Sequence, residues 1–118
     1  MQFSVIFYTD SAGAKPLVGF LEEIRARQPV LHRQIVQAIK RIESSDVHGP
    51  PLTELIDPTH DIYELRVGRT DIARVFFFFQ PGRWMVLTNG YVKKAQKLDP
   101  RELERARRYK ADWESRWS

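Results

Sequence analysis

The chain contains no cysteine. That excludes a disulfide framework, a thiolate metal site and a cysteine nucleophile. A reducing compartment suits such a composition, and the expected location is cytoplasmic. Nor is there an apolar run near the roughly 20 residues that a membrane-spanning helix requires, so no membrane partner is expected. Residues 1–8 show neither a basic leader nor a small-residue cleavage site and are not expected to be a secretory signal. No glycine-rich phosphate loop and no serine nucleophile elbow occurs. The acidic residues do not cluster as a magnesium site would, and His32, His48 and His60 lack metal-ligand spacing. No metal and no cofactor are expected.

What the chain does have is a concentrated positive charge. At 118 residues it is long enough for one domain, residues 1–118, around a single core. Its net charge of +4 is unevenly distributed. Residues 91–110 hold eight Lys/Arg against three acids, whereas the rest of the chain holds eleven against twelve. All the excess charge therefore lies in one segment, which favours a polyanion or an acidic protein as partner. Its most informative part is Tyr91-Val92-Lys93-Lys94-Ala95-Gln96-Lys97, directly after an apolar strand-like run. Core formation has no use for three ammonium groups in five residues, so a phosphate-bearing partner is one reading and a solvated loop the other.

Hydrophobic periodicity places the elements. Residues 2–8 read as a strand. From Pro16, Leu17, Phe20, Leu21 and Ile24 recur at helical spacing, and Pro29 closes that helix. A second helix carries Leu31, Ile35, Ala38, Ile39 and Ile42 on one stripe, giving a helical hairpin. Residues 44–60, with Gly49 and three prolines, read as loop with a short ordered piece around Leu52 to Ile56. Strands are expected at 61–67, 72–79 and 84–90, joined by Gly68-Arg69-Thr70-Asp71 and Gln80-Pro81-Gly82-Arg83. Connections this short imply an antiparallel meander. Val75 to Phe79 is apolar on both faces, as befits a central strand. Asp99 caps the last helix, Pro100 takes its first position, and Glu102 is placed to complete a capping box. Leu103, Ala106, Tyr109 or Lys110, Trp113 and Trp117 follow one face. The expected order is βααβββα, an α+β domain with a twisted antiparallel sheet.

Two arginines flank the first hairpin connection. If three residues (69–71) make the turn, Arg66 lies opposite Arg74 and both leave the same face. Such a like-charged pair calls for an anion between them. A phosphodiester suits two guanidiniums, and a local carboxylate such as Glu64 or Asp71 is the alternative. His48 and His60, in the loop before the Arg66 strand, are candidate proton shuttles.

Ile62-Tyr63-Glu64-Leu65-Arg66, then Arg74-Val75-Phe76-Phe77-Phe78, then Tyr91 to Lys97 followed by Pro100 together resemble the phage-type HigB branch of the RelE/ParE toxin superfamily. The resemblance extends over nearly the whole chain. It implies a RelE-like α+β fold and a toxin of a type II toxin–antitoxin module. It further implies a ribosome-dependent, metal-independent endoribonuclease that cuts translated mRNA and so inhibits translation. The partners it implies are a cognate antitoxin of the helix-turn-helix HigA type, the ribosome and translated mRNA. Carried over by position, Arg66, Arg74, Lys93 and Lys94 would form the active surface, with Tyr91, Gln96 and Lys97 contacting RNA. Two departures stand out: Tyr91 replaces the branch's usual Phe, and Glu54 and Asp57 stand where a basic residue is common. A ParE-like inhibitor that binds DNA gyrase, or a basic binding module without catalysis, are the alternative functions.

Overall fold

The alternation at the N-terminus forms strand β1 (Ser4–Phe7), and two proline-started helices follow it. The computed structural model describes residues 3–45, 49–93 and 98–117. Helix α1 (Pro16–Arg27) opens with Pro16 in its first turn, where a missing N–H costs nothing. It stops because Gln28 precedes Pro29, and the proline ring drives the residue before it out of the helical region. Gln28 accordingly sits at φ −139°, ψ 74°, ending α1 and starting α2 (Pro29–Ser44). One residue thus makes the hairpin corner. The expected stripe of α2, Leu31, Ile35, Ala38, Ile39 and Ile42, is buried.

Strands β2 (Thr53–Asp57), β3 (Ile62–Val67), β4 (Ile72–Gln80) and β5 (Trp84–Lys93) then run as a meander, and α3 (Pro100–Trp117) closes the chain. The sheet order is β1-β5-β4-β3-β2. Strand β4 is central, as its apolar run requires. Phe77 packs toward the helical hairpin with Leu65, Met85 and Leu87. Phe76 packs on the other face against Leu103 and Ala106 of α3, and Phe78 against Val86 and Trp113. Each such fully buried ring contributes about 1.5–3 kcal/mol, so β4 anchors both layers.

Four expectations need correction. The sheet is mixed rather than antiparallel throughout: β1 pairs parallel with β5, Ser4 opposite Trp84 and Phe7 opposite Leu87. The helical hairpin between β1 and the meander supplies the crossover that a parallel partner needs. The short ordered piece expected around Leu52 to Ile56 is a fifth strand, β2, so the order is βααββββα. β2 escapes a periodicity reading because it is a polar edge strand, with Leu55 exposed and a register irregularity before Asp57. Strand β5 also runs through Lys93 rather than stopping near residue 90. Finally, Asp99 does cap α3, accepting the Arg101 N–H at 2.9 Å, but there is no capping box. The Asp99 N–H goes to the Tyr91 hydroxyl and the Glu102 carboxylate to Asn89.

Candidate functional site

The β3–β4 hairpin pairs Arg66 with Arg74, the register that a three-residue turn demands. Gly68 makes the turn possible at φ +111°, because a Cβ there would lie 2.3 Å from the Asp71 carbonyl oxygen. Both arginines leave the sheet face that α3 occupies, since the intervening Leu65, Val67 and Ala73 face the helical hairpin. The anion between them is a side chain of this protein. Glu64, two residues before Arg66 and on the same face, is fully buried. Its Oε1 accepts from Arg66 Nε at 2.6 Å and from Arg74 Nη1 at 2.5 Å. Glu54, opposite Glu64 on the β2 edge, makes a second ion pair with Arg66. Of the two carboxylates considered from sequence, Glu64 is the partner, and it serves both arginines at once. Glu64 Oε2 and Arg74 Nε are buried with no hydrogen-bond partner among the described residues.

A β-bulge adds the next two groups. Val75 pairs with Gly90 and Phe77 with Leu87, so Thr88 and Asn89 together face Phe76. The extra residue reverses the alternation of β5. Leu87 faces the helical hairpin, and Tyr91, four residues on, faces α3 beside Phe76. Tyr91 is thereby paired with Arg74, and Lys93 with Ile72, on the arginine face. The bulge is held by Thr88 Oγ1 donating to the Phe76 carbonyl and by Asn89 Nδ2 donating to the Glu102 carbonyl at 3.1 Å. On the opposite face Gly90 leaves room for α1, because a Cβ there would lie 2.8 Å from the Phe20 ring.

Lys93 is 6% exposed. Burial pulls its pKa down, the Arg74 and Arg66 guanidiniums pull the same way, and Glu64 opposes them. Tyr91 is pushed up by burial, against the Asp99 N–H and the Arg74 charge that favour its phenolate. Arg66 is lowered by burial and by Arg74, but a guanidinium so altered still keeps its charge. The cluster is thus two arginines held by two carboxylates, with the buried Lys93 on the same sheet face and a tyrosine whose hydroxyl is tied to the start of α3.

Of the residues singled out from sequence, Arg66, Arg74, Tyr91 and Lys93 come together here. Lys94, Gln96, Lys97 and His48 lie outside the described residues. His60 lies elsewhere. It precedes Ile62, at the opposite end of β3 from Arg66, about 13 Å of strand away. Its Nδ1 and backbone N–H both meet the Asp57 carboxylate, which also accepts from Arg107 Nε at 2.7 Å. That trio fastens α3 to the β2–β3 corner. Two further groups near the arginines carry no site signal in the sequence: Glu54 of β2 and Arg41 of α2. Arg41 joins Arg66 and Arg74 in lining a cleft of about 420 Å³. Neither is signalled by local pattern, because one lies on an unrecognised strand and the other on a helix flank.

A five-stranded mixed sheet with a helical hairpin on one face, a C-terminal helix on the other and a cross-strand arginine pair defines a small α+β protein with a basic site on its sheet. The family model described as Phage derived protein Gp49-like (DUF891) matches residues 22–111, and the chain belongs to that family. The match covers β2 to β5 and α2 in full, and with them every residue of the arginine–lysine cluster. The family is associated with the toxins of toxin–antitoxin systems. No curated protein matches the chain.

Proposed function

We propose that this protein is the toxin of a type II toxin–antitoxin module and acts as a metal-independent endoribonuclease on translated mRNA, in the manner of the RelE and HigB toxins it resembles. The observation that carries the reading is the grouping of Arg66, Arg74 and a buried, pKa-lowered Lys93 on one sheet face. The chemistry is internal transesterification. The ribose 2′-oxygen attacks the neighbouring phosphorus and gives up its proton. The bond to the 5′-oxygen breaks, and that oxygen gains a proton. The products are a 2′,3′-cyclic phosphate and a 5′-hydroxyl end.

Each group has a role in that scheme. Arg66 and Arg74 stabilise charge on the pentacoordinate phosphate, and fixed donors of this kind contribute about 2.7–4 kcal/mol each when removed singly. Glu64 holds the two guanidiniums on one side before the substrate arrives. Lys93 suits proton transfer, because a lowered pKa brings an ammonium closer to the working pH. Lys94, Gln96 and Lys97, next in sequence, would add cationic and polar contacts to the RNA backbone. The partners would be the ribosome with its message, and an antitoxin of the helix-turn-helix HigA type whose acidic or carbonyl-rich contacts cover the basic face.

The test is to induce the chain from a tight promoter and map message 5′ ends within minutes. New 5′-hydroxyl ends inside reading frames, lost with Arg74→Ala and lost when translation is blocked, are expected. Growth arrest with intact messages would refute ribonuclease action and turn attention to DNA gyrase.

A further inference from the structure

The cleft of about 420 Å³ beside the arginine pair is lined by a third arginine from a different layer. Arg41 sits next to Ile42 at the edge of the buried stripe of α2, exposed itself, with its neighbour anchored in the core. Unlike Arg66 and Arg74, which meet Glu54 and Glu64, Arg41 has no carboxylate partner among the described residues. Pro51, Leu52, Gly68 and Ile72 complete the lining of the cleft. A site with cations around an apolar floor, of a volume usual for small-molecule pockets, has the chemistry of a nucleotide. Phosphates meet the guanidiniums, and a base or ribose face meets the apolar side chains.

We propose that Arg41 is an RNA-binding residue: with Arg66 and Arg74 on one phosphate, it holds an adjacent phosphate of the same single strand, and the nucleotide between them lies on Pro51, Leu52 and Ile72. This rests on the ribonuclease reading and adds a binding register to it. The cleft then takes a strand with at least two phosphates, and a single-phosphate ligand leaves Arg41 unused. The strand enters along the flank of α2.

The test uses fluorescence anisotropy with 2′-O-methyl oligonucleotides, which cannot undergo internal attack. A dinucleotide with one phosphate and a hexanucleotide are titrated into wild type, Arg41→Gln, Arg41→Lys and Arg66→Gln between 50 and 200 mM KCl. Arg41→Gln is expected to weaken hexanucleotide binding about tenfold, lower the salt slope by about 0.7, and leave the dinucleotide unchanged. Arg41→Lys should keep most of the slope, and Arg66→Gln should weaken both ligands. Equal hexanucleotide binding by wild type and Arg41→Gln overturns the inference, as does equal loss of both ligands. So does wild type that binds neither. Mapping message ends with the same proteins separates the two failures. Cleaved messages alongside an indifferent Arg41→Gln sink this inference alone, whereas intact messages with wild type sink the ribonuclease reading beneath it.

Discussion

Glu64→Gln is the substitution that interrogates the site most directly. It keeps the size of the side chain and one acceptor, and it removes the charge shared by two guanidiniums. Glu64 is fully buried, the Arg74 side chain is 12% exposed, and the Arg66 side chain is 34% exposed. Hydrogen bonds to charged groups contribute about 1.5–3 kcal/mol each, and breaking a buried ion pair costs about 3–5 kcal/mol. Arg66 can turn to water and to Glu54, so its share falls toward the low end. Arg74, with only 12% of its side chain exposed at the cleft, has less of such an outlet. The expected loss is about 3 kcal/mol. With a urea m-value of about 2 kcal/mol/M, the midpoint should fall by about 1.5 M. Glu64→Gln combined with Arg74→Gln should recover part of that loss, with a coupling of about 1–3 kcal/mol. A midpoint shift under about 0.5 M, or strict additivity of the two substitutions, would refute the claim that Glu64 is the anion that holds the pair.

Other elements make separate predictions. Burial first, and then the hydrogen bond to Asp112, push the Tyr8 hydroxyl up to about 12. A raised folded pKa means the contribution is complete below about pH 10 and is lost as pH rises toward 12. Melting curves should therefore show an alkaline decline in wild type that is shallower in Tyr8→Phe. At Asp57, burial alone would raise the pKa, but the hydrogen bonds from Arg107 and His60 outweigh it and hold the carboxyl below its ordinary value. That contribution is present above about pH 4 and is lost on acidification. The stability gap between wild type and Asp57→Asn, about 2 kcal/mol or more at neutral pH, should accordingly close in acid. Gly90→Ala sets a methyl against the Phe20 ring and should cost about 1–3 kcal/mol in denaturant titrations. Pairing it with Phe20→Leu should return part of the loss; no recovery would mean that backbone, and not Phe20, sets the clearance.

The cluster also changes how the basic character of this protein is understood. The excess charge of residues 91–110 suggested an open cationic surface. In the folded chain, part of that charge is spent inside the molecule: Arg107 is engaged by Asp57 and Glu104, and Arg116, just beyond, by Asp112. Lys93 is buried in the sheet. The groups left for a partner are fewer than the charge count implies. Arg41 in particular comes from a segment whose charge is balanced.

Local chemistry determined much by itself. Pro16 and Pro29 set the starts of α1 and α2, because a proline's fixed φ suits a first turn and unseats the residue before it. The apolar run Val75 to Phe79 marked the central strand, and the short connection from Gly68 to Asp71 left Arg66 opposite Arg74 provided its turn used three residues, as it does. Those are local or nearest-neighbour effects, and a linear chain carries them openly. Tertiary structure decided what depends on partners far along the chain. The parallel placement of β1 beside β5 needed the helical hairpin to cross the sheet. The strand at Thr53–Asp57 exists because β3 offers it an edge, not because its own residues alternate. The bulge at Thr88-Asn89 set the face of Tyr91 and Lys93, since one extra residue inverts every side chain after it. Whether the anion between the arginines was a ligand or Glu64 turned on burial, which no pattern of residue types reports.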